Sequence, residues 1–547
     1  MRTRGSDLLV AALENEGVQR IFGLPGEENL AVVESLRASR IELVLTRHEQ
    51  AASFMAATQG RLTGSPGVCL STLGPGALNF TTGAAYAYLG AMPMVMITGQ
   101  KAIRSARQAR FQLVDIVGSM RPITKMTRQI ISADAIPSMI RDAFRVATEE
   151  RPGPVHLELP EDIAAEDCNA PLIAPHPISR PIASLEALKS AVDLILAARR
   201  PLIMIGAAGN RSRLVEALSD FVRRTQIPFF NTQMGKGAVT GNSDLYLGTA
   251  ALSERDYIHD AIEQADLIIA IGHDTVEKPP FLMGAGRGPK VVYVGYVSAT
   301  VEQVFHPDAE VIGDIGTTVA ALADALHQRV NTTAAFTKLR DDIRAHLSER
   351  AEDERFPVIP QRIVHDVRKV MPEDGIVCLD NGMYKIWFAR NYRTTVANTL
   401  LLDNALATMG AGLPSAIAAK CLNPEKRVLA VCGDGGFMMN SQELETAVRL
   451  KLDLVVLVIE DSAYGMIRWK QAVDHFADFG MTFGNPDFVA YANSYGAHGH
   501  RIAATSELIP TLEAAFKQGG VHLVAVPIDY SENMRVLVDE LGNRSIG

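Results

Sequence analysis

No apolar run in this 547-residue chain reaches the roughly 20 residues that a membrane-spanning helix requires, so no membrane partner is expected. The five cysteines, at 69, 168, 378, 421 and 432, are scattered and form none of the close pairs that mark zinc or redox motifs. Two early arginines, Arg2 and Arg4, give way to acidic residues before a signal-peptide core could form, and a reduced, cytoplasmic protein is expected. Lysine and arginine never gather into a block, and the net charge is −9, which leaves nucleic acid without an electrostatic footing. A small molecule is the better partner. Adjacent histidines are also missing: of 13, the nearest approach is "HGH" at 498–500, read as a surface loop.

What the chain does have is alternation. Short Val/Ile/Leu runs, glycine-containing loops and stretches of helical period follow one another nearly throughout, which predicts parallel α/β domains of the doubly wound kind. A Pro-rich, non-periodic stretch at 166–186 and a charged helix at 337–356 read as connections. Three units follow: 1–170, 185–335 (Rossmann-like) and 355–547. The middle unit opens with "RPLIMIGAAGNRSRLVEALSDF", a strand, a glycine turn and a helix. It lacks the full three-glycine dinucleotide fingerprint, and its glycines are read as turn geometry.

Two apolar runs in the third unit end on carboxylates. In "AVCGDGGFMMNSQELETAVRLKLDLVVLVIEDSAYGMI" (430–467), strands close on Asp434 and, 27 residues later, on Asp461. Asn440 reads as an N-cap and Glu443 as its capping-box partner. A right-handed βαβ crossover sends both strands the same way, so both aspartates emerge at one carboxyl edge, about 5 Å apart if the strands are neighbours. Carboxylates that close repel unless a cation lies between them, and Mg²⁺, which takes one or two carboxylates plus water and phosphate oxygens, suits the pair. Gly433, Gly435, Gly436 and Gly465 add turns that admit a diphosphate.

"GDGGF" followed by "EDSAYGMI" resembles the thiamine diphosphate motif of the thiamine-dependent enzymes. The resemblance implies that Asp434, Asp461 and the carbonyl of Ala463 hold Mg²⁺, with Tyr464, Gly465 and Met466 completing the cofactor loop. Most members carry two asparagines where Glu460 and Asp461 stand here, so the added negative charge leaves less net attraction for a diphosphate. "GLPGEENL" (23–30), "STLGPGALNFTTGAAYAYLGAMPMVMITGQ" (71–100) and "RFQLVDIVGSMRPITK" (110–125) are similar to the pyrimidine-binding domain of acetolactate and acetohydroxyacid synthases. "CLDNGMYKIWFARNY" (378–392) and "LLDNALATMGAGLPSAIAAK" (401–420) resemble the family's remaining cofactor segments.

By that resemblance Glu49, in the first turn of a helix after the strand ending at Thr46, is the carboxyl that activates the aminopyrimidine. Its neighbours "AASFMAA" suggest an apolar setting in which a carboxyl can share a proton. Pro25, Gly76 and Asn79 are implied beside the cofactor, Phe111 and Gln112 on its substrate side, Gly382 and Met383 at the diphosphate, and Met409 beneath the bent cofactor. Tyr384 stands where the family has a histidine.

The resemblance further implies a reaction. After a 2-keto acid loses CO₂, the remaining unit can be protonated, oxidised or added to a second carbonyl. No histidine pair is present to donate the proton, and "IGHDTVEKPPFLMGAG" (271–286) lacks the Arg/Asp-rich loop of flavin-bearing members, so FAD is not expected. Carboligation of two pyruvates to 2-acetolactate is left; Lys470, where anabolic relatives place a tryptophan, favours pyruvate or another carbonyl as acceptor, and "PIDYSEN" (527–533) resembles the fermentative type. A sister thiamine enzyme (carboligase, lyase or decarboxylase) acting on another 2-keto acid and a flavin- or nucleotide-binding oxidoreductase are the alternatives. A homodimer or a dimer of dimers is implied, and whether a regulatory subunit attaches is not legible.

Overall fold

The computed structural model describes residues 3–104, 110–252, 256–277, 288–300, 306–327 and 336–540. Three six-stranded sheets carry the architecture, and every strand pairing inside them is parallel. The first sheet is built from β1 (Arg20–Gly23), β2 (Glu42–Leu45), β3 (Gly67–Ser71), β4 (Met94–Gln100), β5 (Met126–Gln129) and β6 (Pro154–Pro160), in the order β2-β1-β3-β4-β6-β5. The second comprises β7 (Pro201–Ile205), β8 (Phe229–Thr232), β9 (Tyr246–Ala250), β10 (Leu267–Ile271), β11 (Lys290–Gly295) and β12 (Ala309–Ile312), ordered β9-β8-β7-β10-β11-β12. The third has β13 (Ile376–Leu379), β14 (Leu400–Leu401), β15 (Val428–Gly433), β16 (Leu454–Glu460), β17 (His498–Arg501) and β18 (Val521–Pro527), ordered β14-β13-β15-β16-β18-β17. First and third sheets therefore share one winding, while the middle one follows the dinucleotide-fold order.

The strands are continuous apolar runs because helices cover both faces of a parallel sheet. Leu267–Ile271 and Met94–Gln100 are buried at every position. The helices bury one stripe: Val215–Thr225 turns Leu218, Phe221, Val222 and Thr225 inward. Glu49–Thr63 buries nearly its whole central run, Ala51 to Thr58, and is stopped by Gly64 at φ 74°, a left-handed position that glycine adopts without steric cost. Among the described residues no helix is long and apolar enough to cross a membrane.

Contacts gather the chain into two compact units, Met1–Ser179 with Ile417–Leu422 and Asn440–Leu450, and Arg180–Ala416 with Asn423–Met439 and Lys451–Gly547. The second unit holds both the middle and third sheets. The charged connection does not part them: Asn391 donates to the Leu347 carbonyl, Lys236 Nζ to the Ala389 carbonyl at 2.8 Å, and Arg390 grips Asp256 through two hydrogen bonds.

Two local expectations are corrected. The helix after β15 begins at once, at Asp434, and ends at Asn440, so Asn440 closes a helix instead of capping the next, which starts at Glu443 behind Gln442. "HGH" is not a loop but β17, the edge strand of the third sheet. There His500 Nε2 lies 3.0 Å from His522 Nδ1, at the amino-terminal end of β18. The glycine turn after β7 is filled by its own fold: a Cβ on Gly206 would lie 2.5 Å from the His273 Cα, and one on Gly272 would lie 2.6 Å from the Gly209 nitrogen. Those glycines serve close backbone approach. Most of the flavin-loop stretch, residues 278–286, lies outside the described residues.

Candidate active site

In a doubly wound sheet, ligands bind beyond the carboxyl ends of the strands where the winding reverses. For the third sheet that place lies between β13 and β15. The residues leaving these strands are Asp380, Asn381 and Gly382 on one side, and Asp434 on the other. β16 pairs directly with β15, Gly433 opposite Ile459, so the two carboxylates emerge on neighbouring strands as the spacing predicts.

Asp434 is 1% exposed and its carboxylate is held by four donors. Oδ1 accepts from the Gly435 nitrogen at 2.8 Å. Oδ2 accepts from the nitrogens of Asp461 (3.1 Å) and Ser462 (2.7 Å) and from Asn485 Nδ2 (2.8 Å). The turn that points these amides at Asp434 is made by Ser462, a non-glycine residue at φ 53°. Such a backbone persists only when its surroundings enforce it. Here Phe483 donates to the Ser462 carbonyl and Tyr464 to that of Met481, lacing the loop through the Ala463–Thr482 bridge.

Burial, and then the charge of Asp434, push the Asp461 carboxyl up to about 7, and Ala463 N–H and Arg468 only partly offset this. Among the described residues no third His, Cys, Asp or Glu joins the pair as a metal cluster. Asn485 Oδ1, buried beside them, has no hydrogen-bond partner among the described residues. Two crowded carboxylates and an unsatisfied amide oxygen form an all-oxygen set short of positive charge. That fits a hard cation which draws its other ligands from water and phosphate.

The glycines divide the labour. Gly433 hands its N–H to the Tyr384 hydroxyl at 2.9 Å. A Cβ on Gly436 would press on the Asp380 carboxylate at 2.6 Å, one on Gly435 on the rings of Tyr464 and Phe483 at 3.1 and 3.2 Å, and one on Gly465 on Asp461 at 2.5 Å. Met383 is buried in the core, and Met466, partly buried, packs against it. Met409 is half-buried and precedes Gly410, whose N–H bonds Asp380. Tyr464 is 38% exposed.

In the first unit, Glu49 opens its helix, and Oε2 accepts from Asn79 Nδ2 at 2.9 Å. Gly76 lies so close that a Cβ there would be 3.0 Å from Glu49 Oε1 and from Thr72 Cγ2. Gly26, next to Pro25, packs on the same Thr72. Gln112, at φ 56°, sets its carbonyl against Gly74. Glu49, Pro25, Gly76, Asn79 and Gln112 thus gather around one turn, whereas the Phe111 side chain stands away at 63% exposure. The apolar setting expected for Glu49 is corrected: its neighbours Ala51–Thr58 face the core, but the first helical turn lies at the rim and leaves Glu49 partly covered.

Sequence reasoning missed several residues. Asp380, fully buried, accepts from the nitrogens of Asn381 and Gly410, and burial holds it near 6. Its signal was the same as that of Asp434, an apolar run ending on a carboxylate. Glu443, 0% exposed, accepts the Arg47 and His48 N–H groups just ahead of Glu49, and burial pushes it up to about 7. Asn485 had no signal, since it reaches Asp434 from a loop 51 residues away.

Comparison with known proteins agrees with this layout. Three thiamine pyrophosphate enzyme domains match: the N-terminal TPP binding domain over residues 3–119, the central domain over 188–322 and the C-terminal TPP binding domain over 380–526. The acetolactate synthase of Bacillus subtilis (strain 168) is 32% identical over 99% of this chain and 96% of its own length. The catabolic acetolactate synthase of Raoultella terrigena is 35% identical over 97% and 96%. The large subunit of acetolactate synthase isozyme 2 of Escherichia coli (strain K12) is 30% identical over 98% and 97%. With a thiamine-binding domain at each end and this likeness along almost its whole length, the chain belongs to the thiamine pyrophosphate enzymes and groups there with the acetolactate synthases.

Proposed function

We propose that the protein is a thiamine diphosphate- and Mg²⁺-dependent carboligase that condenses two pyruvates to 2-acetolactate with release of CO₂. The observation that carries this reading is the convergence of Asp434 and Asp461 on one oxygen-lined edge, in a chain alike to acetolactate synthases from end to end. Asp434, Asp461 and the Ala463 carbonyl would hold Mg²⁺, and Gly382, Gly433 and the backbones of Gly435, Gly436, Tyr464, Gly465 and Met466 would border the diphosphate. Bound there, thiamine diphosphate would supply a nucleophilic carbon and an electron sink for the decarboxylation of a 2-keto acid.

The chain's own groups then have defined tasks. Asn79 Nδ2 occupies Glu49 Oε2, which would leave Oε1 free to share a proton with the aminopyrimidine. Gln112, an amide with no acidic proton, would orient the keto acid without protonating the carbon nucleophile. Met409 would lie beneath the bound cofactor, while Phe111, exposed in the single chain, would meet the substrate only on a move or a partner's approach. Phe111, Leu113 and Val114 in the first unit, and Phe476 and Phe479 in the second, are exposed in the single chain, which supports a homodimer or a dimer of dimers. No FAD is needed, in keeping with the self-filled turn at Gly206.

Incubation with pyruvate, thiamine diphosphate and Mg²⁺ should yield one CO₂ per two pyruvates consumed, with acetolactate detected after acid decarboxylation to acetoin. Acetaldehyde as the sole product, or turnover without thiamine diphosphate, would refute the reading. Glu49→Gln should abolish turnover and spare cofactor binding. A second reading, a sister carboligase with another 2-keto acid, is favoured by Lys470, whose ammonium lies 4.7 Å from the centre of the Trp469 ring beside the site. The same assay across a panel of 2-keto acids separates the two.

A further inference from the structure

A lysine ammonium lies buried in the second unit with no carboxylate bonded to it. Lys385 sits in the helix Met383–Asn391 at 5% exposure, and burial pulls it down to about 8, while Asp403, Asp380 and Glu277 favour its charge. An ammonium has three donors and no acceptor. Here they go to Asn381 Oδ1 at 2.7 Å, the Asp403 carbonyl at 2.9 Å and Asn404 Oδ1 at 3.3 Å. All three acceptors are neutral, so no ion pair at contact distance offsets the cost of taking the charge out of water. An apolar side chain of similar length would avoid that cost.

What the ammonium reaches is one loop, 403–409, which follows β14. Lys385 ties Asp403 and Asn404 directly. It ties the far end through Asn381: a lysine can only donate, so it takes Oδ1 and leaves Nδ2 to the Thr408 carbonyl, 2.7 Å away. Asp380 then receives the Gly410 N–H at 3.0 Å. Inside the loop, Asp403 Oδ1 accepts the Ala405 and Leu406 N–H groups at 2.7 and 3.1 Å and shapes the turn. Met409 is therefore flanked by two fastened neighbours, Thr408 and Gly410. We propose that Lys385 is a positioning residue, which holds loop 403–409 in the shape that sets Met409 beneath the bent cofactor. This rests on the thiamine diphosphate reading of the edge. All three of its protons are engaged by protein oxygens, so none is left for the diphosphate. A loop released from the lysine would have to be ordered again each time the cofactor binds.

The test uses the full-length, cofactor-stripped protein, titrated in a calorimeter with Mg²⁺-pyrophosphate and, separately, with Mg²⁺-thiamine diphosphate, and its hydrogen exchange followed by mass spectrometry. Lys385→Met keeps the length of the side chain and removes the donors. Amides of residues 404–410 should exchange faster than in the unmodified protein, while those of β16 stay as they are. Thiamine diphosphate should bind about tenfold more weakly, the order expected for ordering a loop on binding. Pyrophosphate, which has no ring to rest on Met409, should bind with unchanged affinity. Asn381→Ala frees Thr408 and leaves the ties at 403 and 404; it should show the same split at smaller size, and it carries the test if Lys385→Met does not fold. An equal loss for both ligands overturns the proposal, since the lysine would then act on the diphosphate or on the fold as a whole. So does unaltered exchange in 404–410, or faster exchange with undiminished affinity for thiamine diphosphate. If the unmodified protein does not bind thiamine diphosphate, the underlying thiamine reading fails, and the exchange of 404–410 alone decides whether Lys385 fastens the loop.

Discussion

Glu443 shows how one buried carboxyl can act at a distance in sequence. Its Oε1 receives the N–H groups of Arg47 and His48, and its Oε2 the Thr446 hydroxyl, so it closes the start of the helix that opens with Glu49. Burial outweighs these three donors and raises it from 4.5 to about 7. A raised folded-state value means that the neutral acid is favoured in the fold. Its contribution is complete below pH 4.5 and is lost as pH climbs through 7, by about 3 kcal/mol at most. Glu443→Gln keeps the same shape, one oxygen for the two amides and an NH₂ for the threonine, but never ionises. Thermal unfolding at pH 5 and pH 8 should therefore show the unmodified protein losing stability relative to the variant as pH rises. Parallel pH curves would place the slope elsewhere.

At the scale of elements, the metal-side loop is rigid because a distant segment laces it. Asn485 donates both to Asp434 Oδ2 and to Ser462 Oγ, at 2.8 and 3.2 Å, and so holds the carboxylate in its orientation. Residues that orient a metal ligand typically govern affinity by about ten- to a hundredfold. Asn485→Ala should raise the Mg²⁺ concentration needed to retain bound thiamine diphosphate by that order, as read by equilibrium dialysis. An unchanged requirement would show the lace to be dispensable. The contrast between this loop and its strands explains what could be read from the chain alone. Buried parallel strands announce themselves as unbroken Val/Ile/Leu runs, and a crossover places Asp434 and Asp461 on one edge by topology. The helix at Asp434–Asn440 was hidden because its two early glycines each cost about 1 kcal/mol of helix propensity, while Asn440 and Glu443 offer a persuasive capping pattern. Tertiary packing on Asp380 and Phe483 overrides that local signal. Asn485 and the "HGH" edge strand had neither periodicity nor spacing to mark them.

Across the molecule, the middle and third sheets are bound into one unit by charges that have left water. Arg390 and Asp256, 2% and 5% exposed, form a two-bond pair at 3.1 and 3.2 Å, and Asp256 also caps the helix Tyr257–Gln264 through the Tyr257 N–H. The helix that carries Arg390 begins at Met383, one residue before the Tyr384 phenol, so the pair anchors the far end of an element whose near end borders the site. Removing one member of such a pair strands the other, at a cost of about 3–5 kcal/mol, whereas replacing both with apolar groups recovers much of it. Asp256→Asn retains the cap but not the charge, and should lower the unfolding free energy by about that amount in denaturant titrations. Arg390→Met in the same chain should restore part of the loss. If the double variant is less stable than Asp256→Asn alone, the stranded guanidinium is not the source of the penalty, and the two sheets are held together by their apolar packing.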